Sequence, residues 1–270
     1  MKLYSLLNNP YYNLKINVAF ETTKYLLKKS ILYLKIDFSY EFKYKIKFRE
    51  VFFMKKNSLT EVVFILDRSG SMSVLEDDTI GGFNSILKKQ REEDGDANVT
   101  TILFDDEIEM LHKRVNIKEI KNITSNDYYV RGCTALLDAI GYSINFMINV
   151  AKNKNEEKAK NVLFIITTDG YENASKEYSY EKIKKMITYQ KEKYNWKFLF
   201  LGANIDAIST AKNFGISKEF ASNYMSDEVG TKLTYEVMND AISECRSCGS
   251  IDTNWKNRVE QDYEIRKNNK

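Results

Sequence analysis

At 270 residues the chain can build one well-buried core, and 43% hydrophobic against 29% charged residues, with one proline and eleven glycines, excludes a disordered, collagen-like or low-complexity protein. The formal charge of +3 hides an asymmetry: residues 1–53 carry 10 Lys/Arg against 4 Asp/Glu, and residues 54–270 carry 31 against 34, so the larger part has no electrostatic footprint for nucleic acid. Cys133, Cys245 and Cys248 form no disulfide framework, no run reaches the length of a membrane span, and no compact apolar stretch with a cleavage site opens the chain. The expected address is cytoplasmic, with no membrane partner.

Residues 1–53 read as an N-terminal extension. From Leu34 to Arg49, Leu34, Ile36, Phe38, Tyr40, Phe42, Tyr44, Ile46 and Phe48 alternate with polar residues, the period of a half-buried strand. A lone strand is not a stable domain. Two readings stand beside each other: a strand added to the domain or to a partner, or an over-extended gene start with translation beginning at Met54.

Residues 54–224 form the expected core domain, in which strand and helix alternate. Glu61 to Leu66 is an apolar run of the kind buried on both faces of a parallel sheet. Phe83, Ile86, Leu87 and Gln90 recur at helical spacing within Thr79 to Arg91. Val99 to Phe104 and Ile108 to Val115 flank Asp105-Asp106-Glu107, and the second run alternates as an edge strand should. A helix from near Thr134 turns Leu136, Ala139, Ile140, Ile144, Met147 and Ile148 inward; the strand Val162 to Thr168, the helix Tyr180 to Tyr194 and the strand Lys197 to Leu201 follow. Helices are expected at Ile205 to Phe214 and at Asp227 to Arg246, the latter within a C-terminal segment, 225–270, that packs on or follows the core. The pattern predicts an α/β, doubly wound, Rossmann-like sheet, mostly parallel with one antiparallel edge strand and helices on both faces.

In such sheets ligands sit at the carboxyl ends of the strands. The first core strand ends in Asp67-Arg68-Ser69-Gly70-Ser71-Met72, a carboxylate and two hydroxyls at alternate positions; a later one ends in Thr167-Thr168-Asp169-Gly170; and Arg131-Gly132-Cys133-Thr134-Ala135-Leu136 is a loop entering a helix. Hard oxygen donors of this kind suit Mg2+, Mn2+ or Ca2+. Each fragment alone is an ordinary cap or turn. Their joint occurrence, in order, at the predicted carboxyl ends is what singles them out.

Over residues 58–220 the sequence resembles the von Willebrand factor A family, in the manner of its stand-alone bacterial or phage-type members. Asp67, Ser69, Ser71, Thr134 and Asp169 match the five positions of that family's metal-ion-dependent adhesion site, and Phe-Ile-Leu-Asp-Arg-Ser-Gly-Ser-Met and Gly-Cys-Thr-Ala-Leu-Leu-Asp-Ala-Ile match its flanks. The resemblance implies Mg2+ (or Mn2+ or Ca2+) held by the Ser69, Ser71 and Thr134 hydroxyls, with Asp67 and Asp169 acting directly or through water. It implies a protein partner whose Asp or Glu carboxylate completes the coordination, no catalysis and, by family association, an ATPase as a partner.

Other chemistries fit less well. A haloacid-dehalogenase-type phosphotransferase also places an Asp and Mg2+ after its first strand but needs an acid two residues on, where this chain has Ser69. A serine hydrolase would need a histidine near Ser69 or Ser71, and His112, the only one, falls on the edge hairpin as a solvent-exposed strand residue. Cys245-Arg246-Ser247-Cys248 is half a zinc site without a second half and reads as ordinary thiols. The charge runs at 88–93 and 152–160 read as solvated faces and loops. A last reading keeps the fold but treats the metal site as vestigial, with binding by ordinary surface contacts.

Overall fold

The structure is a computed structural model and describes residues 59–267. The readings made for residues 1–53 and for Met54 lie outside the described residues.

Among the described residues, six strands form one sheet in the order β3-β2-β1-β4-β5-β6, with β1 at Thr60–Asp67, β2 at Ala97–Phe104, β3 at Ile108–Asn116, β4 at Asn161–Thr168, β5 at Lys197–Ala203 and β6 at Ala221–Tyr224. All neighbours are parallel except β2 and β3. Every residue of β1 and of β4 is buried, which is why Val62–Leu66 and Val162–Ile166, the middles of these strands, are apolar, whereas most of β3 at the edge is only half-buried. Period two sends Val62, Phe64 and Leu66 to one face and Val63 and Ile65 to the other.

The first face packs against α1 (Glu76–Arg91), α5 (Glu228–Cys248) and α6 (Asn257–Lys267); the second packs against α2 (Leu136–Lys152), α3 (Tyr180–Tyr194) and α4 (Ala207–Asn213). This is the doubly wound arrangement expected. The chain leaves β1 toward β2 on one side and reaches β4 on the other, so the topological switch falls between β1 and β4, whose ends are in register at Leu66 and Thr167. None of the helices among the described residues is long and apolar enough to cross a membrane.

Several details differ from the sequence expectation. α1 begins at Glu76 instead of Thr79, because Glu76, Asp77 and Asp78 occupy its first turn, where carboxylates favour the exposed N–H groups. α2 begins at Leu136 instead of near Thr134, since the Thr134 and Ala135 amides donate to Asn173 Oδ1 and to the Asp105 carbonyl. β6 was not expected: its four residues, Ala-Ser-Asn-Tyr, are too short and polar to signal a strand. His112 is half-buried, not solvent-exposed; it stacks on Phe83 with centroids 6.3 Å apart and places Nδ1 3.0 Å from Thr101 Oγ1. Its pKa is lowered because burial penalises the imidazolium.

Candidate functional site

The candidate site lies at the switch point between β1 and β4. Asp67 closes β1 fully buried; its Oδ1 accepts from the Ser69 amide at 2.7 Å and its Oδ2 from Thr168 Oγ1 at 2.6 Å. Ser69 Oγ and Ser71 Oγ are 3.1 Å apart, and Ser71 Oγ donates to Asp169 Oδ1 at 2.5 Å. A Cβ added to Gly170 would lie 3.2 Å from Thr134 Oγ1 and 3.4 Å from Ser71 Oγ, so these two hydroxyls both border the small space that glycine leaves open. The structure therefore brings together all five side chains singled out in the sequence.

Two features of this cluster are unusual for a purely structural network. Asp169 Oδ2 is buried without a hydrogen-bond partner, and a buried acceptor left unsatisfied costs about 1–3 kcal/mol, more when charged. Two carboxyls also share one site: burial pushes Asp67 up to about 6 against the hydrogen bonds from Thr168 and Ser69, with Asp169 adding repulsion, and burial likewise raises Asp169 against its bond from Ser71. Two carboxylates and three hydroxyls make a hard-oxygen donor set whose charge a divalent cation would balance, so the residues fit Mg2+, Mn2+ or Ca2+. Among the described residues no group of three His, Cys, Asp or Glu side chains could hold a metal ion, and the three cysteines are free.

The loops are clamped in place by residues that sequence reasoning gave no role. Tyr128 Oη donates to the Asp67 carbonyl at 2.5 Å, and Arg131 N donates to the Arg68 carbonyl at 2.8 Å, joining the Thr134 loop to the exit of β1. Gly132 takes φ +65, and a Cβ there would fall 1.8 Å from Asp106 Oδ1, so the turn accepts only glycine without rearrangement. The buried Asp105 Oδ2 receives Arg68 Nε at 2.8 Å and Arg131 Nε at 2.7 Å, and Arg68 also reaches Glu109 at 2.6 Å. On the other side, Asn173 brackets Thr134 by two bonds, Glu172 Oε2 accepts from the Leu137 amide at 2.9 Å, and the Asp138 carboxylate accepts from the amides of Lys176, Glu177 and Tyr178. These partners are far apart in the chain; the sequence signal for them was no more than polar residues beside the motif positions.

No protein-family model matches the chain, and no curated protein is significantly similar to it. Solved structures share its fold at low identity. The vWF domain of the type V pili tip protein Mfa5 from Porphyromonas gingivalis is 10% identical, with TM-score 0.52, over 72% of this chain and 98% of that one. The pilus adhesin SpaC from Lactobacillus rhamnosus GG, in an open conformation, is 10% identical, with TM-score 0.52, over 69% of this chain and 30% of the adhesin. Proximal thread matrix protein 1 from the mussel byssus is 14% identical, with TM-score 0.49, over 69% of this chain and 47% of that one. The chain thus spans less than half the length of the mussel protein and of SpaC. With a six-stranded sheet carrying one antiparallel edge strand between helices, the fold is α/β and von Willebrand factor A-like.

Proposed function

We propose that the face at the carboxyl ends of β1 and β4 is a non-catalytic interaction module that binds a protein partner through a divalent cation, Mg2+ in the first instance. The observation that carries this reading is the convergence of Asp67, Ser69, Ser71, Thr134 and Asp169, in which one buried carboxylate oxygen of Asp169 has no hydrogen-bond partner. Ser69, Ser71 and Thr134 would hold the cation through hydroxyls, and Asp67 and Asp169 would supply charge directly or through water. When bound, the cation supplies a coordination position for a carboxylate from the partner's Asp or Glu.

The chain's own residues prepare that event. Thr168 and the Ser69 amide fix the Asp67 carboxyl so that it cannot swing, and Asn173 fixes the backbone of Thr134. Val74, Tyr129 and Tyr171, exposed by 76%, 42% and 59%, lie on the loops that carry the site and offer apolar contact around it; aromatic residues of this kind are enriched in protein interfaces. A pilus adhesin and a pili tip protein among the fold relatives support an interaction role. Three free thiols fit a reducing compartment, the cytoplasmic one we assign.

Calorimetric titration of the full chain with Mg2+ tests the reading, paired with partner capture in Mg2+ against EDTA. One saturable site, lost in Asp67→Ala together with the captured partner, is expected. Capture indifferent to EDTA and to the substitution would transfer the function to a vestigial site with ordinary surface contacts. Turnover of a generic aryl phosphate that requires Asp67 would favour phosphotransfer instead.

A further inference from the structure

α2 and α3 lie side by side on the second face of the sheet, and an open trough of about 660 Å3 runs between them. Along α3 it is lined from Lys182 to Tyr194, a stripe of three turns and about 18 Å at the rise of an α-helix. Along α2, Asn145, Ile148 and Lys152 supply one face of the second half of the helix. Its floor is apolar: Ile148 and Met186 are half-buried, and Trp196, 7% exposed, stacks on Phe164 at 5.5 Å. Tyr189 and Tyr194, edge to face at 5.9 Å, are about half exposed and form a wall.

Charge identifies the occupant. Among the described residues, Lys152, Lys182 and Lys185 line the trough and no carboxylate does, although residues 54–270 hold more acidic than basic side chains. Lys185 pairs with Glu181 one turn away at 2.6 Å, but both are more than 70% exposed, so the pair is weak and yields to an incoming carboxylate. Lys182 Nζ stands 4.0 Å from the centre of the Tyr178 ring, which holds it at the rim. A three-turn apolar channel between helices, bordered by one sign of charge, has the shape that receives an amphipathic helix.

We propose that this trough is a second docking surface and that it takes an acidic amphipathic helix of a partner protein, its apolar stripe on Met186, Ile148 and Tyr189 and its carboxylates on Lys152, Lys182 and Lys185. The surface is independent of the metal-site face: Lys152 ends α2, about 24 Å along the helix axis from its start beside Thr134. Both surfaces can be occupied together, which makes the domain a bridge between two proteins.

The test is fluorescence anisotropy of the full chain with three labelled synthetic peptides of about 18 residues: a leucine-striped helix flanked by Glu, the same stripe flanked by Lys, and the Glu-flanked helix with its stripe replaced by Ser. The acidic amphipath should saturate with Kd of about 10 µM or tighter, with the other two at least about tenfold weaker. The exposed-lysine variant K152E/K182E/K185E should lose about tenfold for the acidic helix and gain affinity for the basic one, and EDTA should change neither. The proposal is overturned by no saturation with the acidic helix up to about 1 mM, by equal affinity of the variant, or by light scattering that shows a second copy of the chain filling the trough.

Discussion

At the scale of single residues, the site is governed by where two carboxyls can afford to be charged. Asp67 is buried, and its pKa stands at about 6 instead of 3.8. A raised acid favours folding fully below its unfolded value, and that contribution is lost as pH rises through about 6. In the metal-free protein the ionised form is therefore a strain on stability at neutral pH, and a cation that requires the carboxylate competes with the proton. Mg2+ affinity is expected to climb about tenfold per pH unit below the pKa and to level off above it; calorimetric titration on either side of pH 6 reads this, and a flat profile would remove Asp67 from the ligand set. Gly170 gives a second, independent reading. Its φ is not positive, so Gly170→Ala adds no backbone strain, but the new methyl enters the space that Thr134 Oγ1 and Ser71 Oγ border. Mg2+ affinity should fall by roughly tenfold while the unfolding free energy from urea denaturation stays within about 0.5 kcal/mol of the parent; equal loss of both would mean that this space belongs to the fold and not to a ligand.

At the scale of elements, the turn between β2 and β3 acts as a clasp. One oxygen of Asp105 holds two arginines, one following Asp67 and one preceding the Thr134 loop. Asp105→Asn removes the buried counter-charge and leaves the fully buried Arg68 to the partly exposed carboxylate of Glu109, and an under-compensated buried cation costs about 3 kcal/mol. Chemical denaturation should show that loss, with weaker Mg2+ binding following from the slackened loop. The sequence showed Asp105 only as part of a turn between two strands, whereas Asp67, Ser69, Ser71 and Asp169 follow predicted strand ends, Thr134 opens a predicted helix, and the five together match a family motif. The difference is physical. A parallel strand buried on both faces must be apolar, so its end, and any oxygen-bearing residue just beyond it, is visible in one dimension. A clasp such as Asp105 with Arg68 and Arg131, or the Asn173 bracket on Thr134, joins residues about 25 to 40 positions apart through side chains that are common on any surface. β6 escaped notice for a related reason: its four residues gain strand character from β5 beside them and not from their own propensity.

For the molecule as a whole, the sheet of the described residues ends on one side at β6, and the C-terminal segment packs against the entry of that strand. β6 is short, and an unprotected edge is a template for pairing with other chains. Trp255 Nε1 donates to the Glu219 carbonyl at 2.9 Å, and Lys256 Nζ donates to the carbonyls of Lys218 and Ala221 at 2.6 and 2.8 Å and to Glu260 Oε1 at 2.6 Å. Lys256 is only 7% exposed, so its ammonium is a structural donor that ties the start of α6 to the entry of β6. Methionine keeps most of the length and apolar volume of this side chain but has no donor, so Lys256→Met leaves two carbonyls without the partner they had. Hydrogen bonds to a charged group contribute about 1.5–3 kcal/mol net, and urea denaturation of the variant should show a loss of about 2 kcal/mol. Because the metal-site face depends on β1 and β4 at the centre of the sheet and not on its β6 edge, Mg2+ affinity of the folded variant should be unchanged. A variant that lost stability and Mg2+ binding in proportion would show instead that closure of the edge and geometry of the site are one cooperative unit.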